Sequence, residues 1–356
     1  MKKSLLALAV FGAYAGVASA QSSVTLYGTL DVNGRYVKAD GQSRRYSEGT
    51  DGINSSQLGF RGVEDLGGGL KAGFTILSSI GVDAGTIGSG TGTNKFWNRR
   101  STISLLGGFG EVRLGRDYTP TFWNQTIFDA MGTNGLGDST GVRQLYAGTR
   151  MDNSIGYFLP SNIGGFYGQA MVAAAEGGTT LDRPGRYVGA RVGFAAGPFD
   201  ISFAGAQQRF GIPFGVGTNG VSAVTTALPG QNQKTFNIGG SWDFGFLKLL
   251  AYYDRETLNS YRENMGSIST VIPLGQAEVH LAYDRSKLKN AAGNTTSVDK
   301  IAATYQYNLS KRTAMYATIA RESNKDGTRL TLPGAAGATT ASGKSSGAEF
   351  GLRHFF

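Results

Sequence analysis

Ala348-Glu349-Phe350-Gly351-Leu352-Arg353-His354-Phe355-Phe356 ends the 356-residue chain on an aromatic residue, with no polar tail after it. In a strand the side chains alternate between two faces, so Phe350, Leu352, His354 and Phe356 share one of them. That face is largely apolar, and an uncovered aromatic strand end invites aggregation. The stretch therefore calls for lipid or protein over it and for another strand beside it.

The opposite end supplies the compartment. Lys2 and Lys3, the apolar run Leu5 to Val17 and the small residues Ala18-Ser19-Ala20 read as a secretory signal peptide over 1–20, with the mature chain starting at Gln21. The run is shorter than the roughly 20 residues a spanning helix needs. No later apolar stretch approaches that length, so residues 21–356 are expected either to be soluble or to cross a membrane as a barrel. The chain has 55 Gly, 8 Pro and no Cys, which argues against a disulfide-stapled secreted domain. Its formal charge is +9, or +7 once Lys2 and Lys3 leave with the signal, which suits an acidic ligand or an anionic surface. The basic residues are scattered singly, so no nucleic-acid partner is expected.

Working back from the final stretch, alternating segments recur along the chain. In the first, Val24, Leu26, Gly28, Leu30 and Val32 face one side, while Thr25, Tyr27, Thr29, Asp31, Asn33 and Arg35 face the other. Tight turns such as Asp65-Leu66-Gly67-Gly68-Gly69 and Gly107-Gly108-Phe109-Gly110 join neighbours into hairpins. Sixteen segments result, and short turns alternate with long connections such as 38–56, 117–151, 210–233 and 323–345. An even strand count with that asymmetry is the pattern of an all-β transmembrane 16-stranded antiparallel β-barrel. A soluble sandwich also alternates, but it has no need for long and short connections in regular succession.

Four ordered motifs carry a family resemblance: Ser23-Val24-Thr25-Leu26-Tyr27-Gly28, Leu58-Gly59-Phe60-Arg61-Gly62-Val63-Glu64-Asp65-Leu66-Gly67, Leu114-Gly115-Arg116-Asp117-Tyr118-Thr119-Pro120 and Gly351-Leu352-Arg353-His354. Together they resemble the trimeric general porins of Gram-negative bacteria, in particular the beta-proteobacterial branch. The resemblance implies a homotrimer in the cell outer membrane, a water-filled channel for small hydrophilic solutes, and a third outer loop folded into the lumen. It also implies that Phe356 belongs to a carboxy-terminal signal read by the barrel assembly machinery.

The loop from Asp117 to Arg150 follows the fifth strand and is the candidate for that constriction. Phe122, Trp123, Phe128 and Met131 suggest packing against the inner wall, and Asp117, Asp129 and Asp138 are its expected acidic side. The glycine-rich acidic motif of enterobacterial loops is absent. Across from the loop a basic wall is expected. Strand phase turns Arg61, Arg100 and Arg150 inward, while Arg99 falls at a strand end where phase leaves its face open. Arg116 joins the set because its Gly-Arg pair resembles the family position that contributes a lumen arginine. Gln57 stands where related porins often have arginine. Guanidinium groups facing carboxylates set up a transverse field, so modest anion preference with weak solute binding is expected.

Two alternatives accompany this reading. One is a substrate-specific channel for small organic anions. The other is a barrel hydrolase using His280, which shares the inward phase of Glu278 and Asp284. His280 and His354 are the only histidines, and neither a metal-binding constellation nor a nucleophile elbow can be assembled, so no cofactor is expected. Arg44 and Arg45 in the first outer loop are candidates to meet lipopolysaccharide phosphates.

Overall fold

A computed structural model describes residues 23–88, 95–145, 148–175, 186–210 and 231–356. The expected signal peptide and most of the 210–233 connection lie outside the described residues. In chain order the strands are β1 (Ser23–Ala39), β2 (Arg45–Thr50), β3 (Gln57–Gly67), β4 (Leu70–Gly81), β5 (Thr86–Ile87), β6 (Arg100–Gly107), β7 (Gly110–Tyr118), β8 (Arg150–Phe158) and β9 (Phe166–Ala173). They continue as β10 (Tyr187–Ala196), β11 (Phe199–Phe210), β12 (Gln231–Asp243), β13 (Lys248–Leu258), β14 (Tyr261–Leu274), β15 (Ala277–Lys289), β16 (Thr295–Asn308), β17 (Thr313–Lys325) and β18 (Lys344–Phe355).

All but β2 and β5 join one ring of sixteen antiparallel strands, closed where β1 pairs β18 from Thr29↔Phe355 to Ala39↔Ser345. The two extra strands are outer-loop additions: β2 folds back on β1, and β5 pairs only with the end of β4. At the seam, Gly28 and Phe356 exchange both backbone hydrogen bonds at 3.1 Å. A Cβ on Gly28 would lie 2.3 Å from the Phe356 ring and 2.6 Å from the Gln57 carbonyl, so only glycine lets the terminal aromatic seat there. Closure leaves no unpaired edge in the hydrocarbon layer, where an open backbone polar group costs several kcal/mol.

Alternation follows the expected phase. Tyr253, Ile268, Tyr283, Ile301 and Ile319 lie exposed on the outside of β13 to β17, while Tyr252, Asp254, Ser267, Asp284, Lys300 and Thr318 between them are buried inside. A polar inner wall is buried because the connection between β7 and β8 lies on it. Thr119 caps its helix α1 (Pro120–Ile127), its Oγ1 accepting from Phe122 N at 3.4 Å, with Pro120 preset for the first turn. Asn124 Nδ2 donates to Ser202 O and to Asn237 Oδ1, tying α1 to β11 and β12. Phe128 fills the space that Gly239 leaves open, where a Cβ would sit 2.1 Å from the ring. The loop then crosses to the far wall: Ala130 N donates to Ser269 Oγ, and Leu136 N donates to Glu349 Oε1. Returning, Lys300 Nζ donates to Asp138 O, and Glu263 accepts from Gln144 N at 2.7 Å and Leu145 N at 2.5 Å. Arg143 meets Glu256 at 2.6 Å and Asp254 at 3.0 Å. Burial works against the charge of Arg143, but these carboxylates hold it well above its ordinary value. Two apolar clusters seal the contact, one with Phe128, Val142, Tyr252, Met265 and Val298, the other with Met131, Leu136, Ala302 and Leu332.

Candidate functional site: the constriction

Between the loop and the wall of β1, β3, β4 and β6 lies a cavity of about 500 Å³. The wall side presents Tyr27, Gln57, Arg99, Arg100, Tyr118 and Arg150, and the loop side Trp123, Thr126, Thr133, Asn134 and Thr140. Asp51, from the first outer loop, is the one carboxylate among these lining residues.

Arg150 enters from the first residue of β8. Its Nη2 donates to Tyr118 Oη at 2.9 Å, and its guanidinium lies 4.3 Å from the Tyr118 ring centroid. Arg100 also lines the space, 5.6 Å from the same ring, but its Nε donates to Asp117 Oδ1 at 2.8 Å. Arg61 stands on the short-turn side, over the Tyr27 ring at 5.2 Å, exposed to the lumen and apart from the cavity-lining set. Gln57 sits at the cavity wall as a neutral residue.

Two expectations require correction. Arg116 is on the other face of β7: it pairs with Ser101 in the row that continues as Ile103 with Leu114, which are 59% and 46% exposed on the outside. There it donates to Asn98 O and to Asp152 Oδ1, both at 2.7 Å, and Lys95 shares Asp152. Asp152 also lies on this side, where a register shift between Gly115 and Asp117 interrupts the alternation of β8 and Asn153 takes φ 50°. The residue that reaches the cavity and that strand phase does not identify is Arg99, which precedes β6 and so escapes the alternation.

The second correction concerns the acidic loop. Asp117 is part of β7, 1% exposed, clasped by Arg100 and by Arg113 at 2.5 Å. Asp129 is buried inside the loop, where it accepts from Met131 N, Thr133 N and Ser139 N at 2.8, 3.2 and 3.2 Å. Burial raises its pKa, against the Ser139 and backbone hydrogen bonds that favour the charge. Asp138 caps the short 3₁₀ turn Ser139–Val142 by accepting from Thr140 N. These carboxylates hold the loop's own shape, and the loop presents hydroxyls and an amide to the cavity. His280 is likewise structural: Nδ1 lies 2.7 Å from Ala130 O and Nε2 3.1 Å from Glu278 Oε2, a strut under the loop.

A closed sixteen-strand barrel with an apolar exterior and a polar interior narrowed by one loop is a channel-forming outer-membrane barrel. The profile of the Gram-negative porin family matches residues 6–327. The chain is 38% identical over its full length to outer membrane porin protein 32 of Delftia acidovorans, which it also covers completely. Its fold superposes on an anion-selective porin from Comamonas acidovorans with a TM-score of 0.81 at 35% identity, covering 94% of this chain and 100% of that one. OmpT of Vibrio cholerae, at a TM-score of 0.69 and 14% identity, shares the fold over 96% of this chain and 99% of its own. The chain belongs to the Gram-negative porin family and is a pore of the outer membrane.

Proposed function

We propose that the pore passes small hydrophilic solutes by passive diffusion and prefers anions, as does the anion-selective porin of Comamonas acidovorans. One observation carries this reading: Arg99, Arg100 and Arg150 line the constriction, and of the lining residues only Asp51 is a carboxylate, none coming from the loop between β7 and β8. Arg100, Arg113, Asp117 and Glu111 form a charge-balanced group linked by contacts of 2.5 to 2.8 Å, so Arg99 and Arg150 supply the net field, opposed only by Asp51. An anion gains from those two guanidiniums, and the wet, screened surroundings keep the gain small enough for release.

The working form is a homotrimer, and Phe356, which is 37% exposed at the seam, serves as the outward element of the assembly signal. No catalytic role is assigned to His280, because its ring nitrogens are occupied in bracing the loop. Reversal potentials of the purified protein in planar bilayers under a salt gradient test the selectivity. A cation-directed potential in the wild type would refute it.

A further inference from the structure

The large apolar residues of the loop between β7 and β8 divide into two sets. Phe128 and Met131 are 0% and 6% exposed and are spent on the apolar clusters that hold the loop to the wall. Phe122 and Trp123 stay half-buried and line the constriction cavity together with Tyr27 and Tyr118. Tyr118 joins these rings to the guanidiniums. Phe122 stacks on it with centroids 5.5 Å and planes 11° apart, Trp123 leans on it at 5.3 Å, and Arg150 sits 4.3 Å from its centroid. Arg100 lies 5.9 Å from the Trp123 ring. One side of the cavity is therefore a row of rings interleaved with fixed positive charge. Among the described residues, Arg99 Nε, Arg150 Nε and Trp123 Nε1 are buried in it without a hydrogen-bond partner, so no acceptor offsets their partial positive charge.

We infer that this constriction is a binding subsite for small aromatic carboxylates, the carboxylate meeting Arg99 and Arg150 and the ring lying against Phe122 and Trp123. The inference rests on the anion-preferring reading of the same constriction and names the class of anion it holds best. Guanidinium groups alone attract monovalent anions by a charge that chloride, acetate and benzoate share. Ring faces separate them. An aromatic pair adds roughly two- to tenfold in affinity beyond what area burial gives. The negative face of an aromatic ligand is also drawn to guanidinium, whereas a saturated ring has no such face. The cavity of about 500 Å³ lies within the range of about 300 to 1,000 Å³ usual for small-molecule sites. Its loop side adds the neutral Thr126, Thr133 and Thr140, which bring no second charge to hold the carboxylate, so the ligand leaves as a channel requires.

The test measures chloride current through wild-type channels in planar bilayers while benzoate or cyclohexanecarboxylate is added. The two share their charge and nearly their size, and the saturated ring is the more apolar, so hydrophobic burial alone favours it. The expected half-blocking concentration is roughly two- to tenfold lower for benzoate. Phe122→Leu and Trp123→Leu keep apolar bulk and are expected to bring that ratio toward one, and Phe122→Tyr is expected to retain it. Equal block by the two acids in the wild type, or stronger block by the saturated one, overturns the subsite. So does an undiminished benzoate preference in both leucine variants. Should a leucine variant fold poorly, the wild-type comparison still decides. The reversal potential in chloride, recorded on the same membranes, separates the two readings: an anion-directed potential without benzoate preference refutes the subsite alone, and a cation-directed one refutes both.

Discussion

Replacing Arg150 by Gln removes one positive charge from the constriction while keeping a polar, hydrogen-bonding side chain. The guanidinium is held on Tyr118 by a 2.9 Å hydrogen bond and a ring contact, so its charge is fixed in place. In bulk water a unit charge about 4 Å away is worth about 1 kcal/mol, favourable for an anion and unfavourable by as much for a cation. The anion-to-cation ratio then changes by about 2 kcal/mol, or roughly thirtyfold, before screening. At 0.1 M salt the screening length is about 10 Å, and a severalfold loss of anion preference is expected. The assay is the reversal potential across a planar bilayer, repeated at falling ionic strength, where the difference between wild type and variant should grow. Arg116→Gln is the control: bound to Asp152 on the outer side of β7, it should leave the potential where it was. A shift in Arg116→Gln equal to that in Arg150→Gln, or no shift in Arg150→Gln and Arg99→Gln, would refute the reasoning.

Burial raises the pKa of Asp51, against the Ser56 backbone hydrogen bond and Arg99, so on acidification it loses its charge earlier than an ordinary carboxyl. Anion preference should therefore rise as pH falls through that titration, and Asp51→Asn should show the high-preference value throughout; a pH response unchanged in Asp51→Asn would count against it. Gly28→Val places a methyl-bearing carbon against the Phe356 ring and the Gln57 carbonyl. The fraction migrating as folded barrel in unheated gels should fall sharply, and wild-type yield would contradict the packing. Glu263→Leu strands the amides of Gln144 and Leu145, costing roughly 1 to 3 kcal/mol each. Open-channel current noise should increase as the returning leg of the loop loosens, whereas a quiet channel would show that other tethers suffice.

The barrel is legible because lipid outside and water inside impose a period of two on every strand. The inward loop is legible because Phe122, Trp123, Phe128 and Met131 make poor solvent-facing residues. The constriction is less so. Val112 and Leu114 set an outward phase for Arg116, opposite to the lumen-facing position that its resemblance to a family motif implies. Arg99 lies one residue before β6, where alternation says nothing. Asp129 and Asp138 each accept the backbone N–H two residues on, at Met131 and Thr140, a turn-forming habit of aspartate that makes a loop carboxylate as readily a local brace as a pore-facing charge. The displacement at Asp152 depends on a bulge, which no composition pattern marks.

The seam between β1 and β18 joins residues from opposite ends of the polypeptide, and Arg35 reaches Glu349 across 314 positions. Lengthening such a link adds only about 0.6 kcal/mol per doubling, so the entropic cost is modest. The consequence is one of timing. Until β18 is available, β1 and β17 each lack a partner on one side, and a chain held between compartments carries two sticky borders at once. Folding is thus all-or-none at the level of the whole cylinder: losing one stave opens the ring, and the unfinished chain needs an escort until its ends have met.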